Sequence, residues 1–280
     1  MQNNVWIKNL MISSPLKAFA ASLVVLLSCN SCIPKEYLPQ KTSGANAAIQ
    51  SEKPVSVARN EKGSNILYQI RKHIIQIKID LAPGKLKKKV SVGSGILWDN
   101  DGFAITSFHL FKNAPLEYAF EVVVDGISLN ATLVGYNEKK DLALVKIHDL
   151  ASHPNLRNLS EIKKSNRTFL LGEKVFCIGY PKNDFQIDHT PTITAGVIGA
   201  VDRYLLDSHQ TVIGPFIQTD AFANTGSSGG GVFLSDGRLV GMISKVIRNN
   251  TGSWDGATYA IGIVDLKEIV SKMMPASIRE

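Results

Sequence analysis

The stretch Asn224–Gly231, NTGSSGGG, sets two adjacent serines among four glycines directly after the run FIQTDAFA. Such a loop can cradle a phosphate, cap a helix or present a nucleophile. A phosphate cradle of the P-loop kind ends in Lys-Ser or Lys-Thr and leads into a helix, and neither holds here. Gly226-Ser227-Ser228-Gly229-Gly230 reads instead as G-x-S-G-G. Glycines on both sides allow a tight turn in which the N–H groups of Gly226 and Ser228 converge on one point while Ser228 projects from the middle. A nucleophilic serine hydroxyl needs a histidine to take its proton and a carboxylate to orient that histidine. The α/β-hydrolase elbow G-x-S-x-G also fits loosely, but it requires the histidine last in the chain. No histidine follows Ser228, so the order left is His, Asp, Ser.

Six histidines precede it. His109 ends the strand-like GFAITSFHLF after the turn DNDG. His73 and His148 border other strand-like runs, and His153, His189 and His209 sit in polar segments. Asp141, in NEKKDLALVKI, stands where a charged turn gives way to an alternating strand. A triad acid and a strand-capping aspartate both fit that position.

The elements that must carry these residues are strands. HIIQIKID, VSVGSGILW, FAITSF, FEVVVDG, ISLNATLVGY, LALVKIHD, KVFCIGY, TITAGVIGAV, FIQTDA, GVFLS, RLVGMISKVI and ATYAIGIV are short and rich in β-branched residues. Turn signals such as DNDG, VDG, SDG and NNTG separate them. Many short strands with few helical patterns between them predict an all-β sandwich or barrel. A short helix is expected within 59–72. A second is expected in DLKEIVSKMM (265–274), with Asp265 as N-cap and Leu266, Ile269, Val270 and Met273 on one face.

Of 280 residues, 44% are hydrophobic and 20% charged, enough apolar surface for one large core or two small ones. The net charge of +7 is spread out, and its densest run, Lys85 to Lys89, reads as a solvated loop. No basic stripe interleaves with aromatics, which argues against a nucleic-acid partner. Lys8 and Lys17 precede the apolar run 18–27, which is short for a membrane span and reads as a signal-peptide core. That run ends in Leu26-Leu27-Ser28-Cys29, which resembles a bacterial lipobox. Residues 1–28 are then a lipoprotein signal peptide, with acylated Cys29 as membrane anchor in the cell envelope. Residues 29–58 mix Pro, Ser, Lys and Ala without periodicity and read as a flexible tether. Of the remaining cysteines, Cys32 fits the lipobox poorly and Cys177 sits in an apolar run, so no internal disulfide framework is expected.

Taken in order, GSGILWDNDGFAITSFH, DGISLNATLVGYNEKKDLALVKI, LGEKVFCIGYP, TAGVIGAVDR, FIQTDAFANTGSSGGGVFLSDGRLVGMIS and ATYAIGIV resemble the trypsin-like serine proteases of the HtrA/Deg type. The resemblance implies two perpendicular six-stranded antiparallel β-barrels, about 60–158 and 169–264 within a domain over 59–280, with the active site between them. It implies His109 as general base, Asp141 as its orienting acid and Ser228 as nucleophile. Gly226 and Ser228 become the oxyanion-hole donors. Phe222 and Ala223 are expected to shape the first specificity pocket, and Met242, Ile243 and Ser244 to line the substrate. With no aspartate there, a small or medium apolar side chain is expected at the cleaved position. No cofactor or metal is implied, the partners are protein or peptide substrates, and oligomerisation is left open.

The chain also departs from the family. Members often read TNxHV and NPGNSGG where this chain has TSFHL and NTGSSGG. Thr225 stands where a proline stiffens the loop, Ser227 replaces an asparagine, and Phe108 is bulky beside the histidine. PKNDFQIDHTPT (181–192) is longer than the usual link. A C-terminal PDZ domain, usual in the family, is not expected within these residues. The altered loop keeps a second reading open, a protease-fold binding protein with an impaired site.

Overall fold

The structure, a computed structural model, describes residues 63–85, 89–117, 119–153, 162–166, 169–182, 190–207, 210–248 and 254–276. The expected signal peptide, the tether, Cys29, Cys32 and most of the 181–192 segment lie outside the described residues.

Twelve strands form two closed six-stranded barrels, all antiparallel. The first contains β1 (Ile74–Asp80), β2 (Val90–Leu97), β3 (Phe103–Thr106), β4 (Phe120–Val124), β5 (Ile127–Asn137) and β6 (Leu142–Ile147). Its order is β1-β2-β3-β6-β5-β4, closed by β4 on β1. The second contains β7 (Lys174–Gly179), β8 (Thr192–Leu206), β9 (Val212–Thr219), β10 (Gly231–Leu234), β11 (Leu239–Arg248) and β12 (Trp254–Gly262). Read from β7 its order is β7-β8-β9-β12-β11-β10, which repeats that of the first barrel.

Period-two alternation decides which side chains fill which core. In β1, Ile75, Ile77 and Ile79 point into the first barrel, joined there by Ala143, Val145 and Ile147 of β6. The alternate residues Ile74, Leu142 and Leu144 point outward and meet Phe233, Met242 and Ile261 of the second barrel. At Ile74, Leu142 and Leu144 these strands are therefore buried on both faces, and the side chains between the barrels are as deeply buried as those inside them. Each fully buried aliphatic side chain there stabilises the fold by about 1.5–3 kcal/mol. Val175, Val232, Val240 and Ile243 fill the second barrel.

Among the described residues, two α-helices flank the barrels, α1 (Gly63–Ile70) and α2 (Ile263–Met273). The second begins two residues earlier than the pattern predicts, because Gly262, extended at φ −68° and ψ 152°, is its N-cap and makes no side-chain capping bond. Asp265 is not the cap. It falls in the first turn, where its carboxylate takes the Lys140 ammonium at 2.7 Å. Leu266 and Val270 are buried in the inter-barrel cluster, with Ile269 and Met273 packed on its edge. Among the described residues, no helix is long and apolar enough to cross a membrane.

β8 runs on to Leu206, past the expected end near Val201, and β9 starts at Val212, ahead of FIQTDA. In this extension Val201, Tyr204, Leu206 and Val212 are exposed. Leu205 and Ile213 pack on the inter-barrel cluster, but their exposed neighbours are apolar too, so the polar–apolar alternation that marks a strand is missing from the sequence here. Cys177 is buried in β7, and burial pushes its thiol pKa up to about 12. An unshifted thiol would be far more reactive.

Candidate active site

β3 ends at Thr106, and the chain turns at once into a single 3-10 turn, Phe108–Phe111, that carries His109. β3 pairs with β6 through Thr106 and Ala143, which brings the residue before β6 beside that turn. That residue is Asp141, with φ at +51°, a left-handed conformation that aspartate tolerates better than most residues. Its main-chain carbonyl accepts the Phe108 N–H at 3.2 Å. Its carboxylate Oδ1 accepts the His109 N–H at 2.8 Å, and Oδ2 lies 2.8 Å from His109 Nδ1. Ser244 Oγ, from β11 of the other barrel, donates to the same Oδ2 at 2.8 Å.

Asp141 is 9% exposed, and three hydrogen bonds compensate its burial. An ionised carboxylate only accepts, so the proton between the two side chains sits on Nδ1. The imidazole is thereby left with its Nε2 lone pair free. Phe108 stacks flat on Tyr136, with ring centroids 4.2 Å apart, so its bulk is taken up on the first barrel.

The serine loop is held by its backbone. Ser227 N–H donates to Asn224 O at 2.9 Å, and Asn224 N–H donates to Ser227 Oγ at 3.3 Å. Ser227 is 5% exposed, its hydroxyl spent on closing the loop. Thr225 N–H donates to Asn224 Oδ1 at 2.8 Å, a side-chain tie where the family often has proline. Ser228 is half-buried and lines the cleft with His109. Its carbonyl accepts the Ser94 N–H of β2 at 2.8 Å, and the next N–H, of Gly229, donates to Ile243 O of β11 at 2.7 Å. The nucleophile candidate is thus bracketed by one strand from each barrel. Gly229 must be glycine, since a Cβ there would sit 2.0 Å from Ser94 O.

The peptide groups around the loop are oriented by their carbonyls. Thr225 O accepts Lys182 N–H at 2.6 Å, and Ser227 O accepts Gly230 N–H at 2.9 Å. In a planar trans peptide the N–H points opposite its C=O. Anchoring these two carbonyls therefore turns the N–H groups of Gly226 and Ser228 away from the loop body. Neither makes a hydrogen bond to another described residue.

The cleft has a volume of about 860 Å³ and is lined from β2 by Val90 and Val92, from the serine loop by Thr225 and Gly226, and from β11 by Ser244 and Lys245. Met242 and Ile243, expected to line the substrate, are fully buried, and their side chains belong to the hydrophobic clusters. Ser244 does reach the cleft, but its hydroxyl serves Asp141. Phe222 is 43% exposed and Ala223 is 2% exposed, and neither lines the cleft that holds His109 and Ser228. Past Ile243, the edge of β11 that faces β10 pairs with no described strand. Two contributors were not picked out from the sequence: Ser94, and the aspartate-holding hydroxyl of Ser244. Both act across the barrels, and no local pattern marks them.

Comparison with known proteins identifies the family. The model of the trypsin-like peptidase domain matches residues 93–242, more than half of the chain and inclusive of His109, Asp141 and Ser228. A probable periplasmic DegP-like serine endoprotease of Halomonas elongata is 32% identical over 261 residues, covering 86% of this chain and 50% of the relative. The chloroplastic Protease Do-like 1 of Arabidopsis thaliana is 32% identical over 183 residues, covering 65% of this chain and 39% of the relative. The chain thus spans half or less of the length of these curated relatives. The HtrA-type protease AlgW, solved with a tripeptide, superposes with a TM-score of 0.63 at 25% identity, over 77% of this chain and 64% of that one. In fold, in matched sequence and in the layout of its cleft, the chain belongs to the trypsin-like peptidase family.

Proposed function

We propose that this chain is a serine endopeptidase of the DegP/HtrA type, with His109, Asp141 and Ser228 as its triad. The observation that carries the reading is the histidine held at Nδ1 by Asp141 Oδ2 at 2.8 Å, in one cleft with Ser228. In the reaction, His109 Nε2 takes the Ser228 hydroxyl proton as Oγ attacks the scissile carbonyl carbon. The oxygen of that carbonyl becomes an oxyanion, received by the N–H groups of Gly226 and Ser228. His109 then gives its proton to the leaving amine, and the acyl group stays on Ser228. Water, deprotonated by the same histidine, releases the acid and regenerates the serine. His109 and Ser228 share the cleft without a hydrogen bond between them. Such catalytic contacts often tighten only around substrate.

The unpaired edge of β11 at Ser244 and Lys245 fits an extended peptide added as a further strand, so the substrates are unfolded or exposed segments. No aspartate stands at Phe222 or Ala223 to pair a basic side chain, so a small or medium apolar residue is favoured at the cleaved position. Cys29 carries a lipid that holds the enzyme in the bacterial envelope, where exported proteins are its substrates. The periplasmic description of the Halomonas relative supports that location.

Digestion of a denatured model protein tests the activity. The wild type should generate new N-termini preceded mainly by small or medium apolar residues, and Ser228→Ala should generate none. A wild type that leaves the denatured protein intact favours the binding-protein reading. Mass analysis of the mature N-terminus should find Cys29 acylated, and an unmodified terminus contradicts the anchor.

A further inference from the structure

Ser94 lies in β2 of the first barrel and is completely buried, yet its hydroxyl spends both of its bonds on segments of the second. It donates to Gly226 O at 2.7 Å and accepts the Tyr180 N–H at 2.8 Å. Its main chain is equally committed. The Ser94 N–H donates to Ser228 O at 2.8 Å, and its carbonyl accepts Thr106 Oγ1 at 2.6 Å, at the end of the strand that leads to His109. One residue therefore ties together the strand of the base, the nucleophile and the oxyanion loop.

Gly226 is the free joint of that loop. It sits at φ +92°, and a Cβ there would lie 2.4 Å from Tyr180 O, so the position takes glycine, whose torsions rotate most freely. Its conformation is set by the carbonyls on either side of its Cα. Thr225 O is held by a backbone N–H, that of Lys182, whereas Gly226 O is held by the Ser94 hydroxyl. The peptide that joins Gly226 to Ser227 is also held at its N–H, by Asn224 O at 2.9 Å, and of these anchors only the Ser94 hydroxyl belongs to a side chain.

Resting on the protease reading above, we infer that Ser94 is a positioning residue for the oxyanion hole: its hydroxyl, delivered from the opposite barrel, locks Gly226 so that its N–H stays aimed at the developing negative charge. Without it Gly226 keeps only its backbone anchors, through Thr225 O and the Ser227 N–H, and the hole is assembled in only part of the population. The oxyanion exists in the transition state and not in the bound substrate, so the loss falls on turnover and spares binding.

The test uses the wild type and Ser94→Ala, a peptide taken from the mapped cleavage sites, and a boronic acid built on the same peptide. At temperatures where both proteins are folded, Ser94→Ala should lower kcat by about 10- to 100-fold, somewhat less than deleting an oxyanion donor outright, with KM within about twofold. Affinity for the boronic acid should fall with kcat. Affinity for the uncleaved peptide, measured in a Ser228→Ala background, should not change when Ser94→Ala is added. A merely structural role lowers thermal stability and leaves that split absent. A folded Ser94→Ala with wild-type kcat, or with losses shared equally by peptide and boronic acid, overturns the inference alone. A wild type that neither cleaves the peptide nor binds the boronic acid overturns the protease reading and the inference with it. Should Ser94→Ala not fold, Ser94→Cys, which keeps the size of the group but donates weakly, must show the same split.

Discussion

The two barrels share one strand order, yet they furnish the cleft in opposite ways. The first barrel supplies a finished pair of side chains: His109 and Asp141 are bonded twice, at 2.8 Å each. The second supplies a loop whose Ser228 side chain makes no hydrogen bond among the described residues and whose geometry is fixed through main-chain carbonyls. Each half is also held by a hydroxyl from the other barrel, Ser244 Oγ on Asp141 and Ser94 Oγ on Gly226. A preset base and a loop fixed through its carbonyls leave the Ser228 hydroxyl as the part that must turn to meet the histidine. The crossed hydroxyls make either half sensitive to how the barrels sit.

Substitutions can break this comparison at four depths. Removing the reacting atom with Ser228→Ala should cost about 10⁶-fold in kcat, whereas Ser227→Ala, which loses only the loop-closing bond, should retain activity. Steady-state kinetics on the mapped peptide separate the two, and equal losses would mean the loop, and not one serine, carries the chemistry. Asp141→Asn keeps the shape of the rigid half but presents an amide to Nδ1 and so favours the wrong tautomer. It should cost about 10⁴-fold in kcat with peptide affinity preserved. Ser244→Ala removes one of three bonds to Asp141 and should cost about tenfold at most, since the two bonds from His109 remain. A loss as large as that of Asp141→Asn would show that the base is not preset by its own barrel.

The smallest effect lies away from the cleft. The Cys177 thiol, raised by burial from 9.0 to about 12, keeps its proton in the folded state where the unfolded chain releases it. Its contribution is complete below pH 9 and declines as pH rises from there toward 12, because the unfolded state then binds fewer protons. Urea denaturation at pH 8 and pH 10 should show a shallower alkaline decline for Cys177→Ala than for the wild type. Peptide mapping should find the wild-type thiol unalkylated until the protein unfolds.

Twelve strands were legible because β-branched alternation and glycine or aspartate turns recur at short spacing, and the G-x-S-G-G loop was legible because three glycines bracket its serines within five residues. His109 could be placed after a strand but not in its 3-10 turn, which depends on Asp141 receiving the backbone N–H. Met242 and Ile243 read as cleft residues by position, yet strand alternation sends the Met242 side chain into the cluster between the barrels and that of Ile243 into the second core. Ser94 was invisible for a different reason. Its partners lie 86 and 132 residues away, and a serine in the middle of an alternating strand looks like any small polar residue. Contacts across barrels are set by how two separate sheets dock, and no local pattern encodes that.

The central claim is that one serine of the pair is activated by the histidine held from the other barrel. Its most direct test is labelling with a fluorophosphonate probe, followed by peptide mapping of the adduct. The account predicts a single adduct on Ser228, retained in Ser227→Ala and abolished in Ser228→Ala and in His109→Ala. An adduct on Ser227, or a folded wild type that takes up no probe under conditions that label a related active protease, would contradict it.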